Sequence, residues 1–448
     1  MRYIPHTPAD VEEMCATVGV ASVDDLFKTI PEELRLKGNL DLPPALSEME
    51  LRQHLRELAR KNANAEEWSM FMGGGAYLHS IPAAVGALAS RGEFLTAYTP
   101  YQPEVSQGTL TAMFEFQTMI AEVLGMEVAN ASMYDGSTAM AEAVLMALRL
   151  TKRKKILVAK SLHPHYRQVL KTYLRNVESE IVEIPFAPDG TLAVDAFKSQ
   201  LREDIACVVV GYPNFFGVIE SIGDIVTAAH KVGALAISVT TEPLALGVLK
   251  APGEWDIDIA VGEGQSLGLP LSYGGPYLGL FAAKKAFVRN MPGRLVGETI
   301  DHDGRRAFVV TLATREQHIR RERATSNICT NVALCALQAV ITMSLWGKNG
   351  FTNLARTNLV RGAYARKKLG GLKGVGMNFS GATFNEFVLD VKRDPLPLLD
   401  KLHAEKILGG IPLGRWYPTL KTSVLVTATE MTSREQIDAY AKALEIML

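Results

Sequence analysis

A Gly-Ser-Thr turn at the start of an alanine-rich helical pattern is the first segment that could do chemistry. The segment Asp135–Thr138 follows an apolar stretch and opens that helix. Free backbone N–H groups, two hydroxyls and the positive end of the helix dipole would together form an anion site. Ser and Thr also cap helices for stability alone, and short motifs often arise by chance. For this segment in isolation, the capping interpretation is therefore favoured.

A run of glycines and a loop rich in tyrosine and proline form the second candidate. Gly73–Gly75 would let the backbone approach another group closely, and Thr96–Glu104 would supply rigid aromatic surface. A packing loop explains both segments nearly as well. Neither one identifies a ligand.

The third candidate lies after two consecutive predicted strands. A pyridoxal phosphate (PLP) enzyme of α/β architecture needs an acid near one strand end to hold the pyridine nitrogen protonated. It also needs a lysine roughly 20 to 30 residues later to form the Schiff base. Here Ser238 lies near the expected Asp position, with Glu242 as the nearest carboxylate. Gln265 lies at the expected Lys position and cannot form an imine. The two positions have the expected spacing, but neither residue can do the chemistry that PLP requires there.

An arginine-rich segment precedes the longest apolar helix. Its arginines could bind phosphate or a partner's carboxylates, or they could pair with Glu316 and Glu322 on a solvated helix face. Thr325 and Ser326 could cap the following helix, predicted from about Asn327 to Trp346, while presenting hydroxyls to a ligand. These interpretations stay open for the four arginines, which are Arg315, Arg320, Arg321 and Arg323.

Two histidines follow the first strong strand pattern. His163 and His165 occupy positions where a ring could stack on a cofactor. A histidine that is hydrogen-bonded within the fold is the more common situation, and a structural role is favoured.

Short β-branched runs that alternate with longer helical periods must position these residues. The runs are apolar on both faces, which is typical of a mostly parallel sheet covered by helices on both sides. The strand C-termini then form the catalytic edge. The predicted strands are 156–159, 181–184, 207–210, 234–237, 257–260 and 277–281.

Three regions are predicted around this sheet. Residues 1–65 form a polar helical arm punctuated by prolines, and 66–310 form the large α/β domain. Residues 311–448 contain the long helix and a smaller α+β domain.

Composition excludes several classes of protein. The 448 residues carry 47 basic and 48 acidic side chains, a net charge of −1, so no global field draws the chain to nucleic acid or to a membrane. The four cysteines show no spacing for a metal site and suit a reducing cytosol. With no signal or membrane-spanning pattern in the sequence, we expect a cytoplasmic protein.

Several segments together resemble the glycine decarboxylase family, the P-protein of the glycine cleavage system. The similarity runs in order through essentially the whole chain, and more narrowly it is to subunit 1 of the split, two-chain form. The segments that carry it are 97–108, 114–143, 212–220, 261–279 and 315–331.

The resemblance implies a PLP-dependent transferase of fold type I. In the family, glycine is decarboxylated on PLP and the aminomethyl group passes to the lipoyl arm of the H-protein. In the lysine-bearing half, the lysine falls five residues before a proline that leads into a glycine cluster. Counting back from Pro270 gives Gln265. The resemblance thus implies a heteromeric enzyme in which a partner, subunit 2, holds the PLP.

The role of this subunit would then be to complete its partner's site. Thr325 and Ser326 are our candidates for contacting the partner's PLP, while the arginines could hold the subunit interface or guide the H-protein. One alternative is a self-sufficient PLP decarboxylase or aminotransferase that uses a different lysine, although Lys284 and Lys285 are expected at the surface. A nucleotide-binding protein is disfavoured, because no strand is followed by GxGxxG or a Walker loop.

Overall fold

The chain divides into two compact units, Met1–Asn62 and Ala63–Leu448. The computed structural model describes residues 5–326, 328 and 330–448. The predictions that concern Asn327 and Cys329 therefore lie outside the described residues. The predicted boundary at residue 65 is close to the division between the units, and the predicted boundary at residue 310 stays a prediction.

The N-terminal unit contains two capped helices, α1 (Pro8–Val18) and α2 (Glu48–Ala59). In each capping box a hydroxyl accepts from the main chain while an acid three residues on accepts from the cap residue. The pairs are Thr7 with Asp10 and Ser47 with Glu50.

The second unit is built from alternating strands and helices. Its described helices are α3 (Ala83–Ala89), α4 (Gly92–Leu95), α5 (Gln107–Leu124), α6 (Gly136–Thr151), α7 (Pro164–Leu174), α8 (Val194–Gln200), α9 (Ile222–Lys231), α10 (Gln317–Arg320), α11 (Ala333–Gly370), α12 (Leu396–Ala404) and α13 (Arg434–Met447). Its described strands are β1 (Ser69–Met70), β2 (Val128–Ala129), β3 (Lys155–Ala159), β4 (Glu180–Ile184), β5 (Ile205–Gly211), β6 (Leu235–Thr240), β7 (Ile259–Glu263), β8 (Gly279–Ala283), β9 (Leu295–Ile300), β10 (Arg306–Thr311), β11 (Gly376–Met377), β12 (Glu386–Asp390), β13 (Ile407–Leu408), β14 (Ile411–Pro412) and β15 (Ser423–Thr427).

The main sheet has the strand order β2-β8-β7-β6-β5-β3-β4. The pairs among β3 to β7 are parallel, while β8 is antiparallel to both of its neighbours. Alternate residues of β3 enter different cores: Ile156 and Val158 pack on the α6 side, and Leu157 and Ala159 on the other. Burial of both faces explains why the strands read as continuous apolar runs. The prediction of a mostly parallel sheet covered by helices is confirmed.

The C-terminal part forms an α+β layer, as predicted. Its antiparallel sheet has the order β11-β12-β15-β14, and its core also includes residues of α12 and α13. The short strand β1 pairs with β13 in parallel, and the chain then enters the glycine-rich segment. The C-terminal layer therefore helps to fix the position of that segment.

The predicted end of the long helix at Trp346 is confirmed, but the helix begins later than predicted, at Ala333. The helical run α11 covers Ala333–Gly370 and consists of two helices that meet at a kink at Gly347, where φ is 56° and ψ is −177°. A backbone angle of this kind suits glycine and interrupts the helical hydrogen bonds. Thr325 and Ser326 do not cap α11, because its cap residue is Val332.

No helix in the described ranges is long and apolar enough to cross a membrane. The same residues contain no group of three or more His, Cys, Asp or Glu side chains placed to hold a metal ion.

Candidate functional site

A cleft of about 490 Å³ opens at the carboxyl ends of β3 and β7, beside the start of α6. We call it the strand-end cleft. Its walls come from the glycine-rich segment, the first turn of α6, the residues after β3 and the loop before β8. Open α/β sheets bind ligands at this edge. Motifs that are separate in the sequence are thus brought together.

The N-terminus of α6 is capped by a carboxylate. Oδ1 of Asp135 accepts from the N–H of Thr138 at 2.8 Å and from the hydroxyl of Ser137 at 2.6 Å. In return, the Thr138 hydroxyl accepts from the N–H of Asp135 at 3.2 Å. The turn does cap α6, but the cap residue is Asp135 and not Ser137 or Thr138. A negative group therefore already lies at the positive end of the helix.

A second carboxylate, which was not among the predicted site residues, lies against the same turn. Oε2 of Glu263, at the end of β7, accepts from the N–H of Gly136 at 2.9 Å. Its Oε1 accepts from the N–H groups of Leu278 at 2.9 Å and Gln265 at 3.2 Å. Burial raises the pKa of Glu263 to about 8. The sequence feature that could have identified Glu263 as a site residue is its position as an acid at the end of a fully buried strand.

Gln265 ties the glycine-rich segment to the turn that follows β7. Its side chain is buried; Oε1 accepts from the N–H of Tyr77 at 2.8 Å. Its Nε2 donates to the carbonyl oxygens of Tyr77 at 3.0 Å and Leu269 at 2.7 Å. These main-chain groups are buried, so water could not take over the hydrogen bonds that the Gln265 amide makes to them.

His163 is fixed against the same segment. Its Nδ1 accepts from the N–H of His165 at 3.2 Å, so Nε2 carries the hydrogen and donates to the carbonyl of Gly74 at 2.6 Å. Burial lowers the pKa of His163 to about 4, which keeps the ring neutral. The structural role favoured from the sequence is consistent with these bonds.

A buried acid anchors the glycine-rich segment from the other side. Glu386, at the start of β12, accepts from the Tyr77 hydroxyl at 2.7 Å, the Gly74 N–H at 2.6 Å and the Thr427 hydroxyl at 2.8 Å. Burial raises its pKa to about 7. A Cβ on Gly73 would overlap both the Thr427 hydroxyl and the Glu386 carboxylate, so this approach requires glycine.

His79 joins the sheet to the C-terminal layer. Its ring lies 2.9 Å from Oε2 of Glu242 and 2.8 Å from Oε2 of Glu430. Burial alone would lower the pKa of His79, but the two carboxylates outweigh it and raise the pKa to about 10. The ring is thus a cation between two anions. Glu242 is committed to this pair and to Asn385 at 3.3 Å.

Ser238 gives no substitute for the expected acid. It lies within β6, is fully buried, and its hydroxyl has no hydrogen-bond partner among the described residues. Lys284 and Lys285 are also absent from the cleft. Lys284 instead forms ion pairs with Asp256 at 2.7 Å and Asp258 at 2.8 Å.

Thr325 and Ser326 lie outside the lining of the strand-end cleft. The N–H of Thr325 donates to the carbonyl of Arg315 at 3.0 Å. The Ser326 hydroxyl forms a hydrogen bond with Glu142 of α6, whose pKa burial raises. Thr325 therefore has the freer side chain of the two candidates.

The four arginines differ in their surroundings. Arg315 is buried and donates to the carbonyl groups of Met291 and Gly293, so it supports a loop of its own chain. The other three are exposed: Arg320, Arg321 and Arg323. Of the four, only these exposed arginines could contact another molecule without movement of the loop that Arg315 supports.

Comparison with known proteins gives a consistent result. The family model described as glycine cleavage system P-protein matches residues 1–444. The chain is 50% identical over 444 residues to a probable glycine dehydrogenase (decarboxylating) subunit 1 of Desulforamulus reducens, covering 99% of each chain. It is 49% identical over 448 residues to the protein of the same name from Moorella thermoacetica, covering 100% of each.

Solved structures agree with this similarity. A crystal structure of glycine decarboxylase (P-protein) of the glycine cleavage system, in inhibitor-bound form, matches with a TM-score of 0.91 and 46% identity, covering 100% of each chain. A sphingosine-1-phosphate lyase of Burkholderia pseudomallei matches with a TM-score of 0.67 at 12% identity, which shows the fold alone. The fold type I architecture is confirmed.

We predict that Gln265→Leu lowers the free energy of unfolding by about 2 to 4 kcal/mol, because the buried N–H of Tyr77 loses its acceptor. The measurement is urea denaturation of the purified chain. Gln168→Leu, at an exposed position on α7, is the control and should stay within about 0.5 kcal/mol of the parent. Equal effects of the two substitutions would show that the Gln265 hydrogen bonds do not hold the segment.

Protonation of the buried Glu386 carboxyl makes the unfolding free energy of the chain depend on pH. The folded chain raises the pKa of Glu386 from its ordinary 4.5 to about 7. The stabilisation from this group is therefore fully present below pH 4.5 and is lost as pH rises through 7. Relative to Glu386→Gln, the parent should lose roughly 3 kcal/mol of unfolding free energy across that window. Substitution of the exposed Glu405 by Gln should leave the loss unchanged, and an unchanged loss in Glu386→Gln would refute the assignment.

Proposed function

Because this chain belongs to the glycine cleavage system P-protein family, as subunit 1 of the two-chain form, we propose that it is the non-catalytic subunit of a cytoplasmic glycine decarboxylase. In the proposed complex, subunit 2 carries the lysine and the PLP. Glycine loses its carboxyl carbon as CO2 there, and the aminomethyl group passes to the lipoyl arm of the H-protein. PLP accepts the electron pair left by decarboxylation.

The surroundings of Gln265 carry this proposal. The residue at the position expected for the lysine has no amine, and its amide is committed to three main-chain groups. A lysine at residue 265 would bury an ammonium group and leave the Tyr77 N–H without its acceptor. Restoring the amine alone would thus conflict with the packing of the glycine-rich segment.

The chemistry of the cleft also does not fit a phosphorylated cofactor. The backbone N–H groups of Gly136 and Thr138, which would bind a phosphate, already donate to Glu263 and Asp135. A dianion would meet two acids there. At the expected acid position Ser238 cannot keep a pyridine nitrogen protonated. Three requirements for PLP are therefore unmet together, which favours loss of the site over a displaced lysine.

The alternative, a self-sufficient PLP enzyme, would need a lysine that reaches the cleft. Among the described residues that line the cleft there is none. This supports assigning the cofactor to the partner. The proposed contribution of this chain is to complete the partner's site, with Thr325 as the first candidate and Ser326 as the second.

Borohydride reduction tests the proposal. The assembled complex is incubated with PLP, reduced, digested and analysed by mass spectrometry. We expect the reduced PLP adduct on one lysine of the partner and none on this chain. A stoichiometric adduct on any lysine of this chain would overturn the proposal and favour the self-sufficient enzyme.

The role of Thr325 is tested in the same complex. Thr325→Ala should weaken retention of PLP by the partner about 10-fold, the effect of losing one hydrogen bond to a charged group. Retention is followed by dialysis and the visible absorbance of the cofactor. Thr325→Ser keeps the hydroxyl and should behave as the parent. Unchanged retention in Thr325→Ala would exclude this residue from the partner's site.

A further inference from the structure

The lining of the strand-end cleft is aromatic and acidic. Tyr134 and Tyr277 contribute rings, the neutral ring of His163 contributes another, and Asp135 and Glu263 contribute carboxyl groups. No lysine or arginine belongs to the lining within the described residues. The described lining therefore offers no lysine or arginine to a carboxylate or phosphate.

One hydroxyl at this cleft has no hydrogen bond to the described residues. Tyr166 of α7 lines the cleft, and the residue as a whole is only 7% exposed. The hydroxyl lies beside Gly136, where an added Cβ would overlap it. Because the protein supplies no hydrogen-bond partner there, this hydroxyl is available to a ligand in the cleft.

The two acids also have acceptor capacity left. A carboxylate offers about four lone pairs, and Glu263 uses three of them for backbone N–H groups. Both hydrogen bonds of Asp135 go to Oδ1, which leaves its Oδ2 without a partner among the described residues. With the Tyr166 oxygen, three acceptors surround the first turn of α6. An ammonium group has three N–H donors and no acceptor, which matches this set.

We infer that the strand-end cleft binds a small organic ammonium cation that carries no carboxylate or phosphate. The acids and the Tyr166 hydroxyl receive its three donors, and the aromatic rings contact its carbon atoms and its charge. The position at α6 that suits an anion in other proteins thus has the opposite preference here. The inference does not depend on which subunit holds PLP.

Binding of this cation is coupled to a proton. Glu263 has a pKa of about 8 because it is buried, so near neutral pH it is mainly protonated. A bound cation favours the carboxylate, so binding at neutral pH releases a proton. The apparent affinity should rise roughly 10-fold or more between pH 6.5 and 8.5, as the ionised fraction grows. The other titratable groups facing Glu263 or the cleft are Tyr134, Asp135, His163, His165, Tyr166, Tyr277 and Cys335.

Calorimetry of the purified chain with methylammonium chloride tests the inference, at constant ionic strength and pH 8.5. We expect saturable binding at one site per chain. Glu263→Gln and Asp135→Asn should each weaken it about 10-fold or more, because a hydrogen bond to a charge is lost. Tyr166→Phe should weaken it a few-fold. Tyr173→Phe is the matched control on the same helix, outside the cleft lining, and should change nothing.

Three results would overturn the inference. They are no saturable binding, equal binding by the carboxyl variants, or binding of inorganic phosphate or PLP as tight as that of methylammonium. Thermal melts verify that each variant is folded. If Glu263→Gln fails to fold, Asp135→Asn decides, since asparagine also caps helices. The borohydride experiment has a separate readout, so either proposal can fail without the other.

Discussion

A single buried amide holds together the segments that form the strand-end cleft. Gln265 accepts from and donates to the main chain of Tyr77 and donates to Leu269. The segment that contains Tyr77 is anchored further by Glu386 in the C-terminal layer and by His163 after β3. Hydrogen bonds between buried or half-buried groups thus join the sheet, the C-terminal layer and the glycine-rich segment. A buried group with all its partners is costly to change, so these contacts give Gln265 a structural role, and we propose that it has no chemical one.

At the start of α6, too, groups of the protein itself occupy a position that could bind a ligand. A helix N-terminus can bind a phosphate, but here Asp135 and Glu263 already accept from its N–H groups. The two acids lie close together, and burial keeps the pKa of Glu263 near 8. This arrangement stabilises the helix without a ligand, and it reverses the charge that the cleft prefers. If the partner holds the cofactor, as we propose, nothing more is required of this position.

The sequence predicted the parallel sheet because burial on both faces leaves a local signal in each strand. Gln265 was predicted from its distance after Ser238, which is also a local feature, and the family resemblance around Pro270 implied the same position. Its hydrogen-bond partner Tyr77 lies 188 residues away, and no local pattern reveals such a contact. Glu263 was missed because a strand-end acid does not show which N–H groups will face it. The end predicted at Trp346 was right because Gly347, which interrupts the helix, is a local feature of the sequence.

Exchange of labelled bicarbonate into glycine tests most directly whether this chain is non-catalytic. The assay uses saturating PLP and H-protein with this chain alone, with the partner added, and with a partner variant whose PLP-binding lysine is replaced. We expect exchange only when this chain is combined with the intact partner. PLP-dependent exchange by this chain alone, or by its mixture with the lysine-less partner, would contradict it.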